Sequence, residues 1–293
     1  MSWDVGKRHE LRGVLVSEAP LHVGGWEPTM AADLALARDG QDRPVIPGTS
    51  IAGALRAWLT TSGAVADVDA VFGYVKGQEG KASRLRVDDA PVLDDVTPVV
   101  RTGVAIDRAT RSAAAGYLYE RELLPAGTRF AFRLVADEPA REKDPGVGEA
   151  FEALTAALRA GHVVLGAART RGLGRVRLEA AQTRTTNLSD RAGLRAWLTD
   201  SSPWHELTGG PSGPPPGRLV VTVDWQPVTP VLVKDSLPGA LVDALPLTTT
   251  DPDGKVRLVL PGSSVKGVLR AHAERIVRTL RGTPAPGSLA ETL

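Results

Sequence analysis

A short segment in the second half of the chain combines arginines with glycines, and this combination suits the binding of phosphate groups. Its members are Gly166, Arg169, Arg171, Gly172, Gly174, Arg175 and Arg177. Glycines allow a positive φ and a close approach of the backbone, and guanidinium groups form charge-assisted hydrogen bonds with phosphate oxygens. The pattern therefore indicates a loop that grips a phosphate backbone. The alternative is an ordinary solvated turn between two strands.

A second pattern with the same chemistry occurs twice. Pro47–Ala57 reads PGTSIAGALRA and Pro261–Ala271 reads PGSSVKGVLRA, at an offset of 214 residues. Each copy follows a short apolar run, which predicts a strand, a Pro-Gly turn and then a helix. The expected caps of the two helices are the hydroxyl groups of Thr49, Ser50, Ser263 and Ser264.

The start of each of these helices is a candidate anion site. Its first backbone N–H groups have no partner inside the helix and are available to an anion that lies there. Arg56 in the first copy, and Lys266 with Arg270 in the second, add positive charge near that end. The alternative is a capped helix after a turn, with no ligand.

The repeat is longer than the two helix starts. Pro20–Val23 matches Pro230–Val233, and Asp33 matches Asp243, both at an offset of 210 residues. A short insertion after these positions explains the change of offset. A repeat of this length indicates that a complete strand–loop–strand–helix unit is duplicated.

Length and composition limit the class of protein. The chain has 293 residues, which predicts two domains, and 42% hydrophobic residues, which is enough for buried cores. No apolar run is long enough to cross a membrane, and the first residues do not resemble a secretory signal, so we expect a cytoplasmic protein. The absence of cysteine excludes disulfides and thiolate metal sites. Because the net charge is only +1, a polyanion would have to be held by local patches.

Periodicity predicts the elements that position the glycine–arginine segment. Strands are expected at Leu11–Val16, Arg84–Val87 and Thr128–Val135, and an amphipathic helix at Glu149–Ala160. Residues 101–120 are basic and rich in small side chains, which indicates a protruding hairpin or arm.

A linker is expected between two units. Residues 1–185 form the first unit, residues 186–217 contain a proline- and glycine-rich stretch that cannot be regular structure, and residues 218–293 begin a second unit. The second unit should open with a strand at Leu219–Val223. It contains no counterpart of residues 84–178, so its sheet is incomplete unless further chain or a partner protein completes it.

Taken together, these motifs resemble those of the RAMP superfamily of CRISPR-associated proteins, and in particular the backbone subunits of type III effector complexes. The resemblance is carried by both Pro-Gly-x-Ser helix starts, by Arg169–Arg175, by Gly103–Arg108 and by Leu123–Thr128. It implies an α+β fold of two ferredoxin-like (RRM-related) units, of which the second is incomplete within this chain. It also implies that the arm at residues 101–120 forms a thumb-like hairpin.

The resemblance implies that the chain binds a guide CRISPR RNA and a complementary target RNA. It also implies that the chain assembles with other RAMP-type effector subunits and does not bind a membrane. In the family, the helix start and the glycine-rich loop contact the guide backbone, and the thumb wedges between bases of the guide–target duplex. Carried over, RNA contacts are expected at Ser50, Arg56, Arg108, Arg111, Arg169, Arg171, Gly172, Gly174, Arg175, Ser264, Lys266 and Arg270. The first helix start has Ala52 where the family usually has a lysine, as at Lys266, which weakens the contact expected there.

Active members of this group cut the target RNA with an aspartate in the loop ahead of Pro-Gly-x-Ser, assisted by a divalent metal. Asp33 and Asp243 occupy that loop in the two units and are the expected catalytic and metal-binding residues. A carboxylate beside a phosphate path suits Mg²⁺ or Mn²⁺, which would orient the attacking ribose 2′-hydroxyl and stabilise charge. The surroundings of Asp243 lack the glycines expected there, which makes it the weaker candidate.

Two other functions remain open at this point. A purely structural subunit would hold RNA without cutting it, and Asp33 would then be an exposed loop residue without chemistry. A guide-processing endoribonuclease of the same superfamily would need a catalytic histidine. His22 lies in an apolar stretch, which favours a packed side chain over a base.

Overall fold

A computed structural model describes residues 4–25, 32–107, 110, 112–141, 145–209, 220–235, 242–250 and 255–282. The strands are β1 (Lys7–Ser17), β2 (Val45–Ile46), β3 (Tyr74–Lys76), β4 (Glu79–Lys81), β5 (Leu85–Val87), β6 (Ala90–Pro91), β7 (Val99–Ile106), β8 (Ala113–Leu123), β9 (Arg129–Glu138), β10 (Val176–Asn187), β11 (His205–Glu206), β12 (Thr248–Thr250) and β13 (Val256–Leu258). The helices are α1 (Gly48–Ser62), α2 (Val68–Phe72), α3 (Val147–Arg159), α4 (Arg191–Leu198) and α5 (Gly262–Arg281).

A five-stranded antiparallel sheet in the order β11-β10-β1-β9-β5 forms the centre of the first unit, and its edge strand β11 comes from the range expected to be a linker. β1 lies in the middle, with Leu15 opposite Phe130 of β9 on one side and Leu178 of β10 on the other. The pairing of β1 with β10 is interrupted by a bulge around Gly13, where an added Cβ would lie only 2.8 Å from the carbonyl oxygen of Glu179. The close approach of the two backbones therefore requires a glycine at this position.

Helices α1 and α3 cover one face of this sheet and form the core with it. α1 contributes Leu55 and Leu59, and α3 contributes Leu154 and Leu158, all fully buried together with Phe130 of β9. A spacing of four places each pair on one stripe of its helix. Burial of each such side chain stabilises the fold by roughly 1.5–3 kcal/mol. The core therefore fixes both helices on the sheet.

Charged side chains fill the opposite face of the sheet. Glu10 of β1 accepts hydrogen bonds from Arg133 of β9 at 2.9 Å and from Arg184 of β10 at 2.5 Å. The ring of Trp204 lies near the guanidinium groups of Arg12 and Arg184, which are 4.0 and 4.4 Å from its centroid. Burial raises the pKa of Glu10, but the hydrogen bonds from Arg184 and Arg133 outweigh this, so that its pKa lies below the ordinary value.

Most elements expected in the first unit are confirmed. β1 contains Leu11–Val16, β5 agrees with the strand expected at Arg84–Val87, and α3 agrees with the helix expected at Glu149–Ala160. β7 and β8 form an antiparallel hairpin, called the arm below, over the segment expected to protrude. The combination of helices with an antiparallel sheet confirms the α+β class.

The strand expected at Leu219–Val223 is wrong for the residues that the structure describes. Residues 220–223 form no ladder, and Val220, Val221 and Val223 are more than half exposed. A strand needs a neighbour for its backbone hydrogen bonds, and residues 220–223 have none among the described ranges. The regular elements described in the second unit, residues 218–293, are the β12–β13 hairpin and α5. In the described ranges, no helix is both long and apolar enough to cross a membrane.

Candidate nucleic-acid interface

Backbone geometry fixes the shape of the glycine–arginine loop (residues 166–175). Arg169–Arg171 form one 3-10 turn between Ala168 and Gly172, which both have left-handed backbones with φ of 56° and 86°. Gly174 also has a positive φ, of 85°, and a Cβ there would lie 1.9 Å from a carbonyl oxygen of the neighbouring segment. Position 174 therefore accepts only glycine.

The arginines of this loop are at the surface. Arg169, Arg171 and Arg175 are all exposed. Arg171 donates a hydrogen bond from Nη1 to the hydroxyl oxygen of Tyr119 at 3.1 Å, which links the loop to β8 of the arm. Exposed guanidinium groups on a loop of fixed shape are well placed to bind a polyanion.

Two arginines that belong to none of the sequence motifs face each other in the arm. Arg101 of β7 lies opposite Arg121 of β8 in the hairpin register. Tyr119 projects on the same side as Arg121, and its ring covers Gly103, where a Cβ would be 2.4 Å from the ring. The guanidinium of Arg121 is 5.4 Å from the centroid of that ring. The alternating pattern is visible in the sequence, but only the hairpin register shows that the two arginines meet.

A small cleft forms where the arm, the glycine–arginine loop and the start of α5 meet. This junction cleft has a volume of about 70 Å³. Its lining includes Arg101, Tyr119, Arg121 and Arg171, and also Pro261 and Ser263 from the start of the α5 segment.

Positive charge dominates the junction cleft. Burial lowers the pKa of Arg101 from its ordinary value, and the nearby charge of Asp235 opposes this shift. Nε of Arg121 is buried and has no hydrogen-bond partner in the described part of the chain. A buried donor without an acceptor costs about 1–3 kcal/mol. An anion in the cleft would supply the missing acceptor.

The hydroxyl caps expected at the two helix starts are wrong. Pro47 and Pro261 occupy the capping positions of α1 and α5, and neither can offer a capping side chain. The backbone amides of Ser50 and Ser264 donate to the carbonyl oxygens of these prolines, at 2.9 and 3.0 Å. Because both serines already belong to the first helical turn, their hydroxyl groups cannot act as N-caps.

The start of α1 is closed by its own unit. The amide of Gly48 donates a hydrogen bond to Oδ1 of Asp89 at 2.7 Å. Gly48 is buried, and a Cβ there would lie 2.2 Å from the carbonyl oxygen of Val87. Arg56 forms an ion pair with Asp69 of α2. The carboxylate of Asp89 thus occupies a place at which an external anion would bind.

The start of α5, in contrast, lies against the glycine–arginine loop. A Cβ on Gly262 would be 2.4 Å from the carbonyl oxygen of Arg171. Lys266 Nζ donates a hydrogen bond to Oγ1 of Thr170 at 2.7 Å, whereas Arg270 pairs with a glutamate one turn along α5. The two copies of the repeated motif therefore have different surroundings. Arg108 and Arg111 lie outside the described residues.

Asp33 lies at the base of the arm. It is exposed, and its Oδ2 accepts a hydrogen bond from the backbone amide of Glu120 at 2.8 Å. The next residue, Leu34, forms a parallel bridge with Arg121, so Asp33 is adjacent to the strand that lines the junction cleft. Asp243 is also exposed. Among the described residues, no group of three or more His, Cys, Asp or Glu side chains is arranged to hold a metal ion.

The histidine considered as a base is packed inside the first unit. His22 is 3% exposed, and its Nδ1 donates a hydrogen bond to the backbone carbonyl oxygen of Glu122 at 2.8 Å. Burial lowers the pKa of His22, and the hydrogen bond to Glu122 opposes this to a smaller extent. The ring is therefore neutral at pH 7, and its burial keeps it from a bulky substrate.

Comparison with known protein families gives one match. The sequence model of a family described as the RAMP superfamily matches residues 15–177. The matched range contains both core helices, the arm and the glycine–arginine loop, and it ends before residues 218–293, where the second unit is expected. No curated protein matches the chain.

Proposed function

The chain belongs to the RAMP superfamily, and from this premise we propose that it is a guide-RNA-binding backbone subunit of a type III CRISPR effector complex. Its partners would be the guide CRISPR RNA, the complementary target RNA and other RAMP-type effector subunits in the cytoplasm. The observation that carries this proposal is the junction cleft, where Arg101, Arg121 and Arg171 meet beside a glycine-rich loop. Phosphate groups are the ligands that such a cluster fits.

The topology supports a ferredoxin-like assignment for the first unit. β1, α1, β5, β9, α3 and β10 follow along the chain in a βαββαβ order, and the four strands lie as β10-β1-β9-β5, each antiparallel to its neighbour. A split βαβ fold has this connectivity. We extend the assignment to the second unit, residues 218–293, because the start of α5 repeats the motif of α1.

The arm and the loop would contact different parts of the RNA. The loop would hold phosphate groups, because its exposed side chains are arginines. On the other face of the arm, Val104 and Leu118 pair across the hairpin and are 41% and 68% exposed. Exposed apolar side chains of this kind can wedge between stacked bases. The geometry therefore supports a thumb-like role for the arm.

We also propose that Asp33 takes part in cutting the target RNA, with Mg²⁺ or Mn²⁺ as cofactor. The bound ion would orient the attacking 2′-hydroxyl and stabilise charge on the phosphate. Asp33 would contribute one carboxylate, and phosphate oxygens of the RNA would supply further ligands, as is usual for Mg²⁺. The hydrogen bond from the Glu120 amide orients that carboxylate beside the arm. The repeat gives Asp243 the same role in the second unit.

RNA binding is tested by fluorescence anisotropy with labelled guide RNA over a range of salt concentrations. Arg171→Gln should weaken binding and reduce the salt slope by about 1, because one phosphate contact is lost. The matched control is Arg86→Gln on β5, whose side chain is 60% exposed and lies outside the cleft. If Arg171→Gln and Arg121→Gln both bind as the unaltered protein does, the proposal is wrong.

Cleavage is tested separately on guide-paired target RNA in the presence of Mg²⁺. Asp33→Asn should keep RNA affinity and lose cleavage in the first unit, and Asp243→Asn tests the second. Unchanged cleavage in the double variant would exclude both aspartates, and no cleavage by the unaltered chain would favour a structural subunit that holds RNA without cutting it. A guide-processing nuclease would cut repeat RNA in EDTA, and the buried, neutral His22 makes this the less favoured alternative.

A further inference from the structure

The junction cleft joins two parts of the chain whose described contacts are mainly polar. α5 buries none of its residues, so apolar packing does not hold it against the first unit. Gly262 approaches the carbonyl oxygen of Arg171, and Lys266 donates a hydrogen bond to Thr170. Contacts of this kind resemble those of a separable interface more than those of a common core.

The charges at this junction repel one another. Arg101, Arg121 and Arg171 line the cleft, and Lys266 lies beside it on α5. Asp235 offsets part of this charge through its effect on Arg101. Nε of Arg121 is buried without a hydrogen-bond partner in the ranges that the structure describes. An excess of cations and a donor without an acceptor both point to an anion as the missing component.

The chemistry of the lining indicates which anion fits. The guanidinium groups of Arg101, Arg121 and Arg171 converge on one small cleft. The oxygens of a tetrahedral oxyanion can accept charge-assisted hydrogen bonds from several guanidinium groups at once. The first-turn amides of α5 provide further donors near the cleft. The ligand chemistry is thus a single phosphate group, from inorganic phosphate or from an RNA backbone.

We propose that one phosphate group in the junction cleft fixes the start of α5 against the first unit, so that phosphate binding and closure of the junction are a single event. The phosphate neutralises the guanidinium groups on one side and accepts hydrogen bonds from the start of α5 on the other. Where the phosphate belongs to RNA, this inference rests on the proposed function. The two parts of the chain then form a single rigid body when they are loaded with RNA.

The absence of cysteine allows a direct test on the full chain. Thr170→Cys together with Lys266→Cys places one thiol on each side of the junction, and the rate of cross-linking by a short bis-maleimide reports how often the two sides meet. Inorganic phosphate and single-stranded guide RNA are added in separate arms, with chloride at matched ionic strength as the reference. We expect each to raise the rate several-fold.

The cation cluster is tested in the same cross-linking background. Arg121→Gln should weaken the apparent phosphate affinity about 10-fold or more, because a charge-assisted contact is lost. Arg86→Gln should leave the effect unchanged, and circular dichroism melting shows whether each variant is folded. Arg101→Gln gives a second, independent probe of the same cleft.

The outcomes separate this inference from the proposed function. If RNA binds but neither RNA nor phosphate changes the cross-linking rate, the junction inference is overturned and RNA binding stands. If phosphate raises the rate but RNA does not bind, the junction inference holds and the RNA-binding role fails. A rise with RNA alone that is lost in Arg121→Gln supports the inference and identifies RNA as the source. A rise that persists in both arginine variants overturns the assignment of the phosphate to this cleft.

Discussion

The carboxylate of Asp89 accepts a hydrogen bond from the backbone amide of Gly48 at 2.7 Å and thereby caps α1 from a separate turn of the chain. A carboxylate at a helix start satisfies a free N–H donor and opposes the positive end of the helix dipole. The corresponding amide of α5 belongs to Gly262, which lies against the glycine–arginine loop instead. The start of α1 is thus capped within the first unit, whereas the start of α5 lies at the junction cleft.

Removal of the Asp89 cap should destabilise the first unit. Asp89→Ala is expected to lower the free energy of unfolding by about 1 kcal/mol, as the loss of other capping side chains does. Asp89→Asn should cost less, because an amide oxygen can still accept the hydrogen bond. Urea unfolding measures both. Asp95→Ala, an exposed aspartate nearby, is the control, and an equal loss there would mean that the cap contributes nothing specific.

Replacement of two glycines of the loop by alanine should lower the free energy of unfolding by different amounts. Gly172 has open space around it apart from one atom at 3.9 Å, so Gly172→Ala should cost about 1–2 kcal/mol from its positive φ alone. Gly174→Ala adds a collision with a carbonyl oxygen at 1.9 Å, so it should cost more and weaken RNA binding as well. Urea unfolding and anisotropy test this order. Gly40→Ala, where no atom lies within 4 Å, should be neutral, and equal costs at 172 and 174 would contradict the prediction.

The carboxylate of Glu10 should stabilise the sheet in a pH-dependent way. Its side chain is 2% exposed and pairs with Arg133 and Arg184, so Glu10→Gln should lower the free energy of unfolding by about 3 kcal/mol at pH 7. The folded-state pKa lies below the ordinary value of 4.5. The contribution is therefore present above that ordinary value and is lost as the pH falls through the folded-state pKa.

Denaturation at several pH values checks this contribution of Glu10. The difference in stability between the unaltered protein and Glu10→Gln should shrink as the pH is lowered below about 4.5. Glu79→Gln, in the exposed strand β4, should show no difference at any pH. A difference between the unaltered protein and Glu10→Gln that stays constant down to acidic pH would show that the effect comes from packing and not from charge.

The hydroxyl group of Tyr119 should contribute to RNA affinity through Arg171. Tyr119→Phe removes the hydrogen bond at 3.1 Å and leaves the ring over Gly103. We expect guide RNA affinity to fall about 5-fold, which corresponds to about 1 kcal/mol for one hydrogen bond. In Arg171→Gln, the further change Tyr119→Phe should have little effect. An additive effect in the double variant would show that Tyr119 acts independently of the loop.

The sequence predicts best those features that depend on close neighbours along the chain. The apolar spacing of Leu154 and Leu158 indicates α3, and the glycines around Arg171 indicate a loop of fixed shape. Both follow from local backbone geometry and from a single buried face. The position of Asp33 beside the arm, in contrast, depends on a hydrogen bond to Glu120, which is distant in sequence.

Three features could not be predicted for physical reasons that the structure makes clear. The Pro-Gly-x-Ser motif suggests serine caps. The proline itself occupies the capping position of α1, however, and Ser50 lies inside the first helical turn. Arg101 and Arg121 meet only because of the hairpin register, which the turn between the strands decides. The run at Val220–Val223 has strand composition but no pairing strand in the described ranges, and composition alone does not form a ladder.

The central position of β1 in the sheet has a consequence for folding during synthesis on the ribosome. Leu15 is synthesised early, yet its two sheet neighbours, Phe130 and Leu178, emerge much later. At about 5–20 residues per second, the 115 residues from Leu15 to Phe130 take roughly 6–23 s to synthesise, and both edges of this strand stay unpaired for that time. During that interval the apolar side chains of β1 are exposed on the nascent chain and can aggregate. The yield of native protein from cells should therefore rise with added chaperones and with growth at low temperature.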